Sequence, residues 1–212
     1  IGLNSGGGYC NYNGTDFYLN SFSAEVQKFM IDLVVEAVRR YPELDGIQGD
    51  DRLPASPINA GYNKGTVDAY MAQTGKPYPS DNKNKDWQAW KLASLNRFAL
   101  DLHDAVKAER QSCMVFFAPN KYPWACNNLS QDWPSWVKSG ACEFLTVQCY
   151  VTANYERDVD SQIAYMKANT SKNIFQPAMI LKNGANLMSP QMLSEQLCHN
   201  RKVGTMCEAQ FW

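Results

Sequence analysis

The run Leu44-Asp45-Gly46-Ile47-Gln48-Gly49-Asp50-Asp51 decides the fold. It follows a segment in which Val26, Phe29, Met30, Leu33, Val34, Ala37 and Val38 recur at i, i+3, i+4 and i+7. That spacing predicts an amphipathic helix starting at Ser23. Glu25 sits near its positive end and Arg39-Arg40 at its negative end, where each charge suits the helix dipole. Tyr41-Pro42 stops the helix, a short strand follows over 44–48, and the strand ends in two carboxylates.

Working outward, the pattern repeats. Residues 1–20 are rich in Gly, Asn and Tyr and read as a loop. Residues 52–86 are rich in Pro, Gly, Asn and Lys, with one short helical stretch around 66–73. A loop this long in a compact domain is usually functional, so 52–86 is expected to lie over the active-site face. A second long helix runs over about 87–109, with Leu95, Phe98, Ala99, Leu102 and Val106 on one face. Then come strand 113–118, short helix 134–139 stopped by Gly140, strand 144–150, helix 156–169 and strand 174–181. Ser189-Pro190 opens the last helix as N-cap and first helical residue, and 205–212 reads as the last strand.

Most of the five strands are continuously apolar, the mark of a parallel sheet covered by helices. No G-x-G-x-x-G or P-loop follows any strand, which removes the usual support for an open nucleotide-binding sheet. The strands end instead in polar or aromatic residues: Asp50-Asp51, Pro119-Asn120, Gln148 with Tyr150, Lys182-Asn183, Gln210 with Trp212. A barrel builds its active site there. The fold class is therefore α/β, a (β/α)8 TIM barrel forming a single domain over 1–212. Five strands cannot close a barrel of eight, so the chain is expected to carry only about the fourth to eighth strands, with the N-terminal strands missing.

Composition narrows the partners. The chain has 45% apolar and 19% charged residues, a net charge of −1, 6 Trp and 11 Tyr. Near-neutrality argues against nucleic acid, which requires concentrated positive charge. No apolar stretch is long enough for a membrane span. Neutral aromatic-rich clefts suit uncharged polar ligands such as sugars, although aromatics also fill ordinary cores. Seven cysteines without a C-x-x-C pair and two histidines make a structural zinc site an unfavoured reading, and no cofactor is expected. Cys113, Cys142, Cys149 and Cys207 read as buried small hydrophobes, and a single bridge among Cys10, Cys126 and Cys198 stays open. His103 and His199 lie on helices and are expected to face solvent, which gives a histidine-based hydrolase little support.

Several segments resemble the glycosyl-hydrolase-like family 10 barrels. Phe17-Tyr18-Leu19-Asn20 is similar to the family's "LNP"-like turn, and Arg40-Tyr41 with Asp45-Gly46-Ile47-Gln48-Gly49-Asp50-Asp51 to its Asp-Gly-Ile-x-x-Asp-Asp run. Thr74-Gly75-Lys76-Pro77, Asp86-Trp87, Asp132-Trp133 and Val147-Gln148-Cys149-Tyr150 follow in the family's order. The departures are Arg52-Leu53-Pro54 after the aspartates, Trp87-Gln88 at the next helix, and Val147 in place of a proline. The resemblance implies a glycosidase acting on a polysaccharide or glycan, with a secreted, periplasmic or cell-surface setting. The alternative is a carbohydrate-binding barrel that has lost one catalytic carboxylate. The oligomeric state is left open.

Glycoside cleavage needs two carboxyl groups, one protonating the leaving oxygen and the other serving as base or nucleophile. The candidates are Asp50, Asp51 and Glu208. Partial burial and adjacency at the end of a strand would separate the roles of the two aspartates, and only one can face the barrel axis squarely. Asp50 is favoured because it shares a face with Gln48 and Gly46, which leaves Asp51 to hold Arg52, a loop amide or a structural cation. The bland reading is that both aspartates cap the following loop. Glu208, read as mid-strand, suits either a second catalytic carboxylate or a buried ion pair, and Asp45 a turn or a pair with Arg39 or Arg40. Gln148 and Tyr150 share one face and suit hydrogen-bonding and stacking against a sugar, or packing beneath the loops. Asn120, Arg52, Trp124 (in the loop after strand 113–118) and Trp212 complete the candidate substrate contacts. Lys182-Asn183-Gly184 is the one faint phosphate-loop candidate.

Overall fold

Helix α1 (Ala24–Arg40) begins where its cap predicts, with the Ser23 side chain accepting a hydrogen bond from the Val26 amide at 3.5 Å. It leads into strand β1 (Gly46–Gly49), followed by helices α2 (Lys64–Thr74) and α3 (Lys85–Glu109). Strand β2 (Met114–Phe117), helices α4 (Trp124–Leu129) and α5 (Trp133–Ser139), strand β3 (Phe144–Gln148), helix α6 (Tyr155–Lys167) and strand β4 (Phe175–Ile180) come next. A two-residue hairpin, β5 (Lys182–Asn183) with β6 (Asn186–Leu187), precedes helix α7 (Pro190–Lys202) and strand β7 (Ala209–Phe211). The computed structural model describes residues 1–11, 14–150, 153–205 and 207–212.

The five main strands form one parallel sheet in the order β1-β2-β3-β4-β7, which is half of a (β/α)8 barrel. Paired residues on adjacent strands point to the same side, so the register sorts the side chains into two faces. Val115, Phe117, Leu145, Val147, Phe175 and Met179 face the helices and are almost wholly buried. Trp133 and Trp136 of α5 and Leu102 and Val106 of α3 complete that core. The opposite, inner face carries Gln48, Phe116, Thr146, Gln148 and Gln176.

Two glycines explain the local turns. At Gly49 a Cβ would strike the Leu53 carbonyl and come within 2.7 Å of the Phe117 ring, so only glycine lets the chain fold back after β1. Gly140 closes α5 with φ 77°, a left-handed conformation that glycine adopts without steric cost. No helix among the described residues is long and apolar enough to cross a membrane.

Several expectations change. Trp124 opens α4 rather than lying in a loop. The last strand is Ala209–Phe211 rather than 205–212, so Glu208 precedes the strand. His103 is mostly buried, its Nε2 3.1 Å from Glu143 Oε1, because it shares a face of α3 with Lys107 and both reach the start of β3. His199 is 7% exposed and lies 3.0 Å from Asp160, on a helix that packs against α6. Arg39 pairs with Glu109 and Arg40 with Glu36, and the exposed Asp45 meets β2 through its carbonyl, which accepts the Met114 amide. All seven cysteines are free thiols; Cys10 is buried despite its loop, and Cys207 is half-buried.

Candidate active site

The C-terminal ends of β1, β2 and β3 carry the candidate site. Gln48 lies opposite Phe116 and points to the inner face; Asp50, two residues on, continues that alternation. Asp50 and Gln48 line a cleft of about 360 Å³ together with Phe17, Arg52 and Phe98. Asp50 is exposed rather than partly buried, because it stands at the open mouth of the strand. Its Oδ1 accepts the Arg52 amide at 2.9 Å, a local turn bond of the kind the capping reading predicts, and its other oxygen is left to the cleft.

Asp51 is placed differently. Its carboxylate holds the Arg52 guanidinium at 2.6 Å, and the same guanidinium donates to the Asp51 carbonyl at 2.8 Å. Gln131, which no sequence motif marks, ties this turn to the next strand. Its Nε2 donates to the Asp51 carbonyl at 3.1 Å, while its Oε1 accepts the Asn120 amide at 3.3 Å. It sits in a connecting segment just before Asp132-Trp133, with no periodicity to mark it.

Asn120 bridges in parallel register to Gln148, so both belong to the inner face. The Asn120 Nδ2 is buried without a hydrogen-bond partner among the described residues, a cost of about 1–3 kcal/mol unless another group satisfies it. Gln148 is 9% exposed and donates from Nε2 to the Ala118 carbonyl at 2.9 Å, which fixes its amide orientation. Tyr150 packs against the Phe211 ring at 5.5 Å. Burial, with the nearby Asp51 and Cys149, pushes its hydroxyl up to about 12, so it serves as a hydrogen-bond donor throughout the neutral range.

The structure does not bring every candidate to this place. Glu208 is gripped by both nitrogens of the Arg201 fork at 2.5 and 3.0 Å, the ion pair that was one of its two readings. It lies just before β7 rather than within a strand, and Arg201 of α7 is in its reach. Trp212 is 71% exposed with Lys182 over its ring at 5.3 Å. Trp124 is 52% exposed at the start of α4. Lys182-Asn183-Gly184 forms the β5–β6 hairpin, a turn and not an anion-binding loop opening a helix.

A parallel half-barrel with amide, phenol and carboxylate groups at its strand ends defines a protein of the (β/α)8 type. The sequence over residues 6–189 matches the family described as Glycosyl hydrolase-like 10, and the chain belongs to that family. No curated protein matches its sequence significantly. Among solved structures, the PgaB (BpsB) glycoside hydrolase domain from Bordetella bronchiseptica is similar with TM-score 0.75 at 14% identity, covering 96% of this chain and 61% of that one. The catalytic domain of a beta-amylase from Paenibacillus polymyxa gives TM-score 0.62 at 11% identity, covering 99% and 67%. A GH18 chitinase from Pseudoalteromonas aurantia gives 0.54 at 14% identity, covering 91% and 63%. At such identities the likeness concerns the fold. The chain spans about three-fifths of the length of the first of these structures.

Proposed function

We propose that residues 1–212 form the fourth-to-eighth-strand part of a single barrel domain that hydrolyses glycosidic bonds in a polysaccharide or glycan. The observation that carries this reading is the contrast among three carboxylates. Asp50 opens onto a cleft at the end of β1, walled also by Val26 and Met30 of α1 and Phe98 of α3, whereas Asp51 and Glu208 are each committed to an arginine. Asp50 then serves as general acid or base, the role that requires a carboxyl group in reach of the scissile oxygen. Asp51 and Arg52 position the turn and keep a negative charge beside Tyr150. Gln148, Tyr150 and Asn120 supply hydrogen-bonding groups and a ring face to the sugar. The segment 52–86 closes the cleft, because it begins at Arg52 and its Ser56 and Ile58 amides bond to Leu129 and Asn128 carbonyls near the end of α4.

One observation favours the non-catalytic reading: the other two candidate carboxylates, Asp51 and Glu208, are each paired with an arginine. The two readings separate when the full-length protein is incubated with a panel of bacterial and plant glycans. Release of new reducing ends from at least one glycan is the expected result. Saturable glycan binding without any release means that the sugar-binding reading holds instead.

A further inference from the structure

A second cleft opens beside the first, between the start of α1, the helix α2 and the first half of α3. It is about 710 Å³ and shares no lining residue with the cleft at Asp50. Trp90 lines it, its indole stacked on Trp87 at 5.4 Å with the rings only 4° from parallel and set near-perpendicular to Tyr70 at 5.7 Å. Its Nε1 is committed to Gln73 Oε1 at 2.8 Å, which holds the ring in place. Deeper in the cleft is Asn20, 8% exposed, with its Nδ2 donating to Thr66 Oγ1 at 2.9 Å. The Asn20 Oδ1 is buried without a hydrogen-bond partner among the described residues. A buried acceptor left unsatisfied is costly, and a ligand that donates to it removes the cost.

We infer that this cleft is a second glycan-binding site, taking a neutral polyhydroxylated sugar whose hydroxyl or amide N–H donates to Asn20 Oδ1 while a ring packs on Trp90. The chemistry excludes anionic ligands. Phosphates and carboxylates bring acceptors to an acceptor, Glu25 adds negative charge at the wall, and Arg97 is already paired with Asp101. The flat apolar face of an indole suits the C–H face of a sugar ring, and amphipathic aromatics of this kind combine contact area with a fixed polar tip. Such a site holds a glycan chain on the rim of the barrel, independently of whether the strand ends cleave it.

The test is a chemical-shift titration of the indole N–H resonances of the full-length protein with cello-, malto- and chito-oligosaccharides, the Trp90 signal being assigned by its loss in Trp90→Phe. Saturable movement of that signal with at least one sugar is expected, and it should persist in Asp50→Asn. Ala93→Tyr fills the cleft from an exposed helical position and should weaken the response at least tenfold without changing the melting temperature. The inference is overturned by an unmoved Trp90 signal with all the sugars, by equal affinity in Ala93→Tyr, or by loss of the response in Asp50→Asn. Glycan hydrolysis with an unmoved Trp90 signal overturns this site alone and leaves the function proposed for the strand ends intact.

Discussion

The two ends of the same parallel strands treat charge in opposite ways. Where β3 and β7 begin, each carboxylate is answered. Glu143 is bound by Lys107 at 2.7 Å, by His103 at 3.1 Å and by the Val115 amide at 2.7 Å, and Glu208 is bound by Arg201. Where β1, β2 and β3 end, Gln48 and Asp50 are exposed and the Asn120 side-chain Nδ2 has no hydrogen-bond partner among the described residues. The first arrangement stabilises the fold and has little left to offer a ligand. The second keeps polar groups open at the face where barrels of this architecture do their chemistry. Charge count alone would not distinguish them; the location of the partner does.

The largest effect that can break this comparison lies in the covered core. Trp136 is fully buried on the helix side of the sheet and donates from Nε1 to Asn96 at 2.8 Å. Trp136→Ala should cost about 3–5 kcal/mol in urea unfolding of the full-length protein, whereas Gln48→Ala on the exposed inner face should stay within about 0.5 kcal/mol. Similar costs for the two would mean that the inner face is as tightly packed as the outer.

Glu143→Gln sharpens the comparison at the strand starts. Burial pushes this carboxyl up, but its bonds to Lys107, the Val115 amide and His103 outweigh that and hold it below the usual carboxylate range. A lowered pKa in the folded state means stability that is present at neutral pH and is lost as pH falls through that lowered value, below about 4.3. The variant should lose about 1–3 kcal/mol at pH 7, since it leaves Lys107 mostly buried and short of its anion. Its acid limb should also be flatter than wild type in a series of melting temperatures against pH. An unchanged acid limb would show that other carboxylates dominate it.

The smallest effect concerns Lys91, which among the described residues is buried without a carboxylate partner. Lys91 on α3 donates to the Ile58 and Ala60 carbonyls at 2.6 and 3.0 Å beneath the 52–86 segment. Burial lowers it to about 8, against a weak opposing effect from Cys10. The unfolded chain therefore binds the extra proton between about pH 8 and the ordinary lysine value near 10.4, and stability from this group rises with pH across that window. Lys91→Met should flatten that rise in thermal unfolding between those pH values. A rise of wild-type steepness in the variant would assign it to another group.

What could be read from the sequence, and what could not, follows from distance along the chain. Ser23, Gly140 and Ser189 announced their helix ends because each cap acts within a few residues. The alternation of Gly46, Gln48 and Asp50 announced the inner face because a strand has a period of two. Gln131 stayed hidden because its partner Asp51 is 80 residues away, and His103 was misjudged because Glu143 is 40 residues away. A helical position without a visible partner reads as solvent-facing until the fold supplies one. Glu208 departs from its mid-strand placement for a smaller reason: the strand starts at Ala209, and Arg201 of the preceding helix lies within its reach.

The central claim is that the open carboxylate at the strand ends does the chemistry while the paired one only holds the fold. The direct measurement is the turnover of the best glycan substrate by full-length Asp50→Asn and Glu208→Gln, compared with wild type at matched margins below their melting temperatures. Asp50→Asn keeps volume and polarity but removes the ionisable group, so the account predicts a folded protein with turnover reduced by ~10²–10⁴-fold. Glu208→Gln should keep turnover within a few-fold and show a small loss of stability. Wild-type turnover in Asp50→Asn, or a collapse of activity confined to Glu208→Gln, would contradict the account.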